Sequence, residues 1–208
     1  TEEWVECFRL YVVRELGVRC DDDVTIHVGV RSVHAAAYPI GIDYRQFAEA
    51  VASERAQAAF ERLRRSPEDK KIIIGVDRLD YSKGLEDRFL GYRRFLEEHD
   101  DQRGKVCLLQ IAPPSRGEVH TYELIREHLD ELSGRINGEF AEIDWVPIRY
   151  VNQGYPREDL AGFYRASHVG LITPLRDGMN LVAKEYVAAQ DPEDPGVLIL
   201  SRFAGAAH

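Results

Sequence analysis

From residue 71 onwards the chain alternates between short, almost continuously apolar runs and segments in which apolar residues recur at helical spacing. Short apolar runs suit strands that are buried on both faces, and strands that alternate with helices favour a parallel sheet. We therefore predict an α/β fold with a parallel sheet flanked by helices. The predicted strands are 71–77, 105–112, 143–151, 169–174 and 196–201, and the predicted helices are 84–99, 118–133, 156–167 and 180–190.

The residues before position 69 show a less regular pattern. The segment 66–70 is polar, contains a proline and interrupts the periodicity, which is typical of a boundary between domains. We therefore assign 1–68 and 69–208 to two different domains. The predicted elements of the first part are a helix at 2–16, strands at 24–30 and 32–38, and one long amphipathic helix at about 45–65.

The composition narrows the functional class. A net charge of -9 argues against a nucleic-acid surface, which would need clustered Lys and Arg. No apolar run approaches the roughly 18 residues that a membrane-spanning helix needs, and the N-terminus lacks the basic start and apolar core of a signal peptide. Cys7, Cys20 and Cys107 have no metal-ligand spacing. We therefore expect reduced thiols, a cytoplasmic location and no metal site.

Charged residues follow the first predicted strand at the edge of the sheet where ligands bind in such folds. Arg78 and Lys83 lie in the loop that leads into the next predicted helix. Two cations beside the unpaired amides of a helix N-terminus suit a phosphate group. The alternative is that both cations pair with Asp77, Asp80 or Glu86 on a solvated surface.

The loops after the second and third predicted strands offer weaker signals. The segment APPSRGE has two prolines that stiffen a turn and present Arg116, whose planar fork suits a phosphate, although an exposed loop arginine is the more common case. After the third strand, Tyr155 and Leu160 can face a ligand or a flat ring. Turn formation and helix packing are the more common explanation for these two residues.

The segment PLRDGMNLVAKEYVAAQ, at 174–190, follows the fourth predicted strand and enters a helix without an ordinary cap. Gly178 allows the backbone to approach a ligand closely, and the amides from Met179 to Val182 can cradle a phosphate. Asp177 would repel a phosphate and needs a neutral polyhydroxyl group or a cation as its partner. The alternative role of Asp177 is an N-cap.

Glu185 lies about two helical turns beyond that loop. An acidic residue in this position can accept hydrogen bonds from a ribose diol. The alternative is an ion pair with Lys184 or Arg88. Together, the cations and the carboxylates at the strand ends suit a phosphorylated, hydroxyl-rich ligand such as a nucleotide sugar.

These segments, in this order, resemble the trehalose-6-phosphate synthase family of retaining glycosyltransferases. The resemblance covers essentially the whole chain. It rests on the segments VDRLDYSKGLEDRF, LQIAPPSR, RDGMNLVAKEYVAAQ and GVLILSRFAGAA, together with PIGID near residue 40.

The resemblance implies a GT-B fold, in which two Rossmann-like domains face each other across a cleft. Residues 1–68 would form the last part of the N-terminal, acceptor-side domain. Residues 69–208 would form most of the C-terminal, nucleotide-sugar-binding domain, without its closing helix. We therefore expect this chain to be a piece of a longer polypeptide, and to have little transferase activity alone because the facing acceptor wall is missing.

The resemblance also implies the roles of individual residues. Arg78 and Lys83 hold the donor diphosphate, and Asp177 bonds the hydroxyls of the donor glucose; these three are the expected catalytic residues. Arg116 would reach the phosphate of the acceptor. Tyr155 and Leu160 match the region that contacts uracil, and Glu185 matches the residue on the ribose. The backbone beside the donor is that of Gly178, Met179, Asn180, Leu181, Val182, Ala183 and Lys184.

The function implied is formation of α,α-trehalose 6-phosphate from UDP-glucose and glucose 6-phosphate, with no cofactor, no metal and no protein nucleophile. The expected partners are these small molecules, with a homo-oligomer as one possible assembly. Two alternatives stay open. One is a sister enzyme with another acceptor, such as a glucosylglycerol-phosphate synthase or a pseudo-glycosyltransferase. The other is a noncatalytic, synthase-like subunit that binds sugar phosphates and regulates a partner.

Overall fold

A computed structural model describes residues 1–21, 24–65, 70–114 and 119–207. The chain divides into two compact units, Thr1–Gly41 and Ile42–His208. The boundary between these units precedes the segment 66–70 that the sequence indicated. The assignment of 1–68 and 69–208 to two domains of the family therefore stays a prediction.

The first unit has one helix and a small antiparallel sheet. Helix α1 spans Glu2–Leu16, which confirms the predicted helix, and ends at Gly17 in the left-handed conformation with φ 60°. The strands are β1 (Arg19–Cys20), β2 (Thr25–Val28) and β3 (Arg31–His34), paired in the order β1-β2-β3. The strands β2 and β3 are shorter than predicted, and β1 was not predicted because two residues carry no periodic signal.

The second unit contains a five-stranded sheet in the order β6-β5-β4-β7-β8, and all of its neighbouring pairs are parallel. This confirms the predicted parallel α/β sheet. The third strand is much shorter than predicted, because Trp145 leaves the sheet and donates from its indole nitrogen to the carbonyl of Val106 at 2.7 Å. The strands are β4 (Lys71–Val76), β5 (Val106–Ile111), β6 (Ile148–Val151), β7 (Val169–Ile172) and β8 (Val197–Leu200).

Helices cover both faces of this sheet. Side chains of α4 and α5 form one buried cluster with the sheet, and side chains of α2, α3, α6 and α7 form a second cluster on the other face. The helices are α2 (Tyr44–Val51), α3 (Glu54–Arg64), α4 (Leu85–Glu98), α5 (Val119–Phe140), α6 (Arg157–Ala166) and α7 (Leu181–Ala189). Short 3-10 turns lie at Tyr81–Lys83, Asp100–Gln102 and Gly205–Ala207.

Two helix predictions need correction. The single helix predicted at about 45–65 is wrong, because the chain breaks between α2 and α3 and the hydroxyl of Ser53 caps α3 by accepting from the amide of Ala56 at 3.1 Å. The helix predicted to end at residue 133 continues to Phe140. No helix in the described segments combines the length and the apolar character needed to cross a bilayer.

The strand order creates a switch point at β4. From β4 the chain proceeds to β5 and β6 on one side, and then returns to add β7 and β8 on the other side. The loops that follow β4 and β7 therefore leave the same edge of the sheet next to each other. In open parallel sheets, ligands bind in the crevice at such a point.

Candidate functional site

Backbone contacts join the loop after β4 to the loop after β7. The amides of Leu175 and Arg176 donate to the carbonyl of Ser82 at 2.8 and 3.3 Å. Gly84 begins α4 with φ 61°, and a Cβ at this position would lie 2.6 Å from the carbonyl oxygen of Thr173. Both the backbone conformation and this close approach require glycine.

Lys83 and Asp177 meet across these two loops. The ammonium of Lys83 donates to Oδ2 of Asp177 at 2.6 Å, with side chains that are only 15% and 13% exposed. Asp177 also accepts from Nδ2 of Asn180 at 3.0 Å and from the amide of Met179 at 3.3 Å. Burial alone would raise the pKa of Asp177, but Lys83 and these donors outweigh it and hold that pKa below its usual value.

This pairing replaces the local ion pairs that were the alternative for Lys83, and its contact with a phosphate stays a prediction. Its ion-pair partner is Asp177, a distant residue, and not a neighbour in the same loop. The carboxylate of Asp80 accepts from the amide and the hydroxyl of Ser82 at 2.8 and 2.7 Å and so shapes the 3-10 turn that carries Lys83.

Arg78 leaves the same loop towards solvent. It is exposed, and within the described part of the chain its guanidinium has no hydrogen bond or ion pair. The next residue, Leu79, is 1% exposed, and its amide donates to the carbonyl of Pro113 at 3.0 Å. The backbone around Arg78 is therefore anchored, while its side chain is available to a ligand.

Helix α7 has a side-chain cap, so the expectation of a helix entered without an ordinary cap is wrong. Asn180 is the N-cap, with φ 72°, and its Oδ1 accepts from the amide of Ala183 at 3.1 Å. The amides of Gly178, Leu181 and Val182 make no hydrogen bond with any described residue. Unpaired amides at a helix N-terminus attract an anion.

The loop after β8 supports the Asp177 loop from behind. The amide of Asp177 donates to the carbonyl of Phe203 at 3.1 Å, and the amide of Gly205 donates back to the carbonyl of Asp177 at 3.0 Å. The amide of Ala206 donates to the carbonyl of Met179 at 2.7 Å. These bonds fix the backbone from which the carboxylate of Asp177 and the α7 amides project.

Glu185 lies half-buried on α7. The hydroxyl of Tyr164 donates to its Oε2 at 3.5 Å, a long hydrogen bond. Burial raises the pKa of Glu185, although the charge of Arg157 and the hydrogen bond from Tyr164 oppose that shift. Arg88, which the sequence offered as a possible partner of Glu185, pairs instead with Asp77.

Tyr155 and Leu160 are partly buried and pack against the core cluster of α6 and α7. The ring of Tyr155 meets Phe163 edge to face at 5.2 Å, and its hydroxyl accepts from Gln153 at 2.6 Å. Packing therefore accounts for part of the signal at these positions, and their contact with a ligand stays a prediction. Arg116 lies outside the described residues.

The sequence interpretation missed a buried polar cluster beneath the loops. Nη1 of Arg88 on α4 donates to Asp77 at 2.6 Å and to Oε1 of Gln110 at 2.8 Å, and its Nε donates to the hydroxyl of Thr173 at 3.0 Å. The guanidinium and the Gln110 amide occupy the space that a Cβ at position 75 would fill, so Gly75 makes room for them. The cluster therefore ties together the carboxyl ends of β4, β5 and β7.

The sequence contained an indication of this cluster, because the helical spacing of α4 places an arginine among its apolar residues. Arg88 shares the buried face of α4 with Leu85, Phe89 and Tyr92. An arginine on the apolar face of an amphipathic helix needs a buried partner, because an unpaired charge is costly in the core. The aspartate at the end of the preceding strand was the nearest candidate.

The arrangement brings positive charge, unpaired amides and a carboxylate to one edge of the sheet. Cations and amides bind phosphate oxygens, and the carboxylates of Asp177 and Glu185 accept from hydroxyl groups. Among the described residues, no three or more His, Cys, Asp or Glu side chains are grouped so that they could hold a metal ion.

A parallel sheet of this order, with a crevice at its switch point, is a Rossmann-like domain of the class that binds nucleotides. The chain belongs to glycosyltransferase family 20, whose sequence model matches residues 1–208.

Curated and solved relatives agree with this family. The trehalose-6-phosphate synthase of Sinorhizobium fredii is 53% identical over 177 residues, which cover 85% of this chain and 38% of that relative. A crystal structure of the UDP-forming α,α-trehalose-phosphate synthase from Burkholderia vietnamiensis superposes with a TM-score of 0.94 and 50% identity, over 100% of this chain and 44% of that chain. The crystal structure of the Burkholderia xenovorans enzyme in complex with glucose-6-phosphate superposes with a TM-score of 0.89 and 52% sequence identity. This match covers 95% of this chain and 44% of that chain.

These likenesses confirm the predicted family and the GT-B class of fold. The chain spans only about two fifths of the length of the relatives that it matches.

Proposed function

We propose that the polypeptide carrying this sequence is a retaining glucosyltransferase, which forms α,α-trehalose 6-phosphate from UDP-glucose and glucose 6-phosphate. In this proposal the chain supplies the donor side of the site. The observation that carries it is the 2.6 Å contact between Lys83 and Asp177 at the switch point of the sheet. A cation for the diphosphate and an acceptor for sugar hydroxyls lie within one hydrogen bond of each other, as a nucleotide sugar requires.

The donor would be held along the edge of the sheet. Arg78 and Lys83 take the diphosphate together with the unpaired amides that begin α7. Asp177 accepts from hydroxyls of the glucose, and Glu185 accepts from the ribose. The uracil would lie against the loop and helix that carry Tyr155 and Leu160.

In the chemical step, the bond between C1 of the donor glucose and the phosphate oxygen breaks, and its electron pair stays with UDP. The hydroxyl of glucose 6-phosphate forms the new bond to C1 on the same face, and its proton passes to the leaving phosphate. Arg78 and Lys83 offset the charge that develops on UDP, which is electrostatic stabilisation by preorganised groups. Arg116 would hold the phosphate of the acceptor.

We further propose that no cofactor and no metal takes part, since Arg78 and Lys83 supply the positive charge that the leaving diphosphate needs. A cytoplasmic location fits this donor and the free cysteines Cys7, Cys20 and Cys107. Activity that is unchanged after treatment with EDTA supports the metal-free scheme. Loss of activity with EDTA and its return with added Mg²⁺ would contradict it.

The test of the function uses the whole polypeptide that carries this sequence. UDP release and trehalose 6-phosphate formation are measured with UDP-glucose, ADP-glucose and GDP-glucose as donors. Glucose 6-phosphate and glycerol 3-phosphate are compared as acceptors. Turnover of UDP-glucose with glucose 6-phosphate is expected, and turnover with glycerol 3-phosphate alone would favour the sister enzyme. Binding without any turnover would favour the noncatalytic subunit.

Substitution of Lys83 tests the donor site directly. Lys83→Ala should weaken UDP-glucose binding more than tenfold, or roughly 1.4 kcal/mol, because a charged contact is lost. Lys105→Ala is the matched control, since Lys105 is exposed just before β5, at the opposite edge of the sheet. Calorimetric titration measures both dissociation constants. An unchanged constant in Lys83→Ala would remove Lys83 from the site.

A further inference from the structure

We propose that the Lys83–Asp177 ion pair makes the donor site discriminate between a nucleotide sugar and the bare nucleoside diphosphate. This inference rests on the proposed function, in which Lys83 meets the diphosphate and Asp177 meets the sugar. It adds a specificity role that neither residue has alone.

The first step of the argument is the cost of separating the pair. The two charges lie 2.6 Å apart, with side chains that are 15% and 13% exposed. Within the described part of the chain, Lys83 is the only cation within ion-pair distance of Asp177. Without Lys83 the carboxylate would keep only the neutral donors Asn180 and Met179. Removing one partner of a poorly hydrated ion pair leaves an uncompensated charge and is unfavourable.

The second step is the competition between ligand and carboxylate for Lys83. A diphosphate is a stronger anion than a single carboxylate and draws the ammonium towards itself. Among the described residues no other cation lies within ion-pair distance of Asp177, and the buried guanidinium of Arg88 is already committed to Asp77 at 2.6 Å. Binding of a bare nucleoside diphosphate therefore leaves the Asp177 carboxylate without its ion-pair partner, which is unfavourable.

A nucleotide sugar compensates for this loss. Its hexose brings hydroxyl groups next to the diphosphate, and these can donate to the carboxylate that Lys83 leaves. Asp177 therefore opposes binding of the bare diphosphate and favours binding of the sugar-bearing donor. After transfer the sugar departs with the acceptor, the compensation is lost, and release of the nucleoside diphosphate is assisted.

The test compares the affinities of UDP and UDP-glucose in the polypeptide that carries this sequence. Asp177→Asn keeps the shape and one acceptor oxygen but removes the charge. We expect this variant to bind UDP about three- to tenfold more tightly and UDP-glucose more weakly than the unchanged protein.

Glu86→Gln is the control for simple charge removal. Glu86 lies on the first turn of α4, is exposed and contacts His128 at 3.1 Å, so its loss removes a nearby negative charge without touching Lys83. Its UDP affinity should change less than twofold. Equal tightening in Glu86→Gln and Asp177→Asn would overturn the proposal, and so would an Asp177→Asn variant with unchanged or weaker UDP binding.

A second measurement needs no substitution and holds even if Asp177→Asn folds poorly. The 2-, 3-, 4- and 6-deoxy forms of UDP-glucose are titrated against the unchanged protein. At least one should bind about fivefold or more weakly than UDP-glucose, because it lacks the hydroxyl that compensates Asp177. If all four deoxy forms bind as tightly as UDP-glucose, the inference is wrong, although the proposed donor site is not contradicted. If Lys83→Ala changes neither UDP nor UDP-glucose binding, Lys83 lies outside the donor site and the inference fails; the proposed function fails separately, when the unchanged protein forms no trehalose 6-phosphate.

Discussion

At the scale of single residues, Glu185 is proposed to bind the ribose of the donor, although its burial disfavours the charged carboxylate. Burial raises its pKa above the ordinary 4.5. A carboxyl whose pKa is higher in the folded protein contributes stability below its unfolded pKa, and that contribution is lost as the pH rises through the folded pKa. At neutral pH, above its unfolded pKa, the buried Glu185 therefore lowers the free energy of unfolding.

Glu185→Gln should consequently stabilise the protein and weaken its proposed donor contact. We expect the free energy of unfolding at pH 7 to rise by up to about 1 kcal/mol, a figure reduced for solvent screening, with little difference near pH 4. Glutamine still accepts from Tyr164, so packing is preserved. UDP-glucose binding should fall about tenfold. Urea denaturation at both pH values and calorimetric titration measure these effects, and a variant less stable at pH 7 would contradict the argument.

The position of each charged residue could be predicted at this scale, but its partner could not. Arg78, Lys83 and Asp177 stand out because they follow apolar runs. That Lys83 pairs with Asp177, 94 positions away, depends on β4 lying beside β7. Residue spacing carries no information about that neighbourhood, and so the local carboxylates were equally plausible partners.

At the scale of elements, the junction between the loops after β4 and β7 depends on Gly84. Its φ of 61° is costly for any residue with a Cβ, and that Cβ would meet the carbonyl of Thr173 at 2.6 Å. Gly84→Ala should therefore lower the free energy of unfolding by about 2–3 kcal/mol. It should also weaken UDP-glucose binding, because the loops that carry Lys83 and Asp177 are forced apart.

Gly91→Ala is the matched control for that substitution. Gly91 lies in the middle of α4, and a Cβ there would have nothing within 4 Å. Alanine should stabilise the helix at this position by about 0.5–1 kcal/mol and leave donor binding unchanged. Thermal unfolding and UDP-glucose titration of both variants provide the comparison. Equal stability of Gly84→Ala and the unchanged protein would show that the junction tolerates a side chain.

Helices and strands could be predicted from the sequence where the spacing of their apolar residues was characteristic. The strands β4, β5 and β7 were found because buried strands read as apolar runs. The strand β8 has an equally apolar sequence, although Val197 and Ile199 on one of its faces are exposed. The break between α2 and α3 was missed because no Gly or Pro interrupts residues 45–65 and only the hydroxyl of Ser53 marks the interruption. The cap of α7 was missed because Asn180 adopts φ 72°, a conformation that the surrounding residues do not indicate.

At the scale of the whole second unit, the two edges of the sheet serve different purposes. The carboxyl edge carries the loops of the candidate site, with a buried Arg88–Asp77 pair beneath them. The alternation of strands and helices was enough to predict this separation, since ligands in such folds bind at the carboxyl edge. At the opposite edge, His168 makes hydrogen bonds to two of the strands.

His168 connects three strands at that opposite edge. Its ring Nδ1 accepts from the amide of Ile72 at 3.0 Å, its amide donates to the carbonyl of Ile72 at 2.9 Å, and its carbonyl accepts from the amide of Val197 at 2.9 Å. A ring nitrogen that accepts a hydrogen bond must be unprotonated. Burial lowers the pKa of His168 below 6.5, and the charges of Lys71 and Arg64 lower it further.

This depressed pKa predicts an acid-sensitive contribution to stability. A base whose pKa is lower in the folded protein contributes stability that is present above its unfolded pKa, here 6.5, and is lost as the pH falls through the folded value. His168→Asn retains an acceptor near the position of Nδ1 but does not titrate. As the pH falls from 7.5 to 5.0, the free energy of unfolding of the unchanged protein should therefore decrease by up to about 1 kcal/mol more than that of the variant. This figure allows for solvent screening of a partly exposed ring.

Urea denaturation of both proteins at intervals across that pH range measures the difference between their free energies of unfolding. Groups that titrate in both proteins contribute equally and cancel from this difference. Glu185 and Asp77, whose pKa values burial raises, act in the opposite direction and are among the groups that cancel. Parallel curves for His168→Asn and the unchanged protein would mean that protonated His168 keeps its place between β4 and β7.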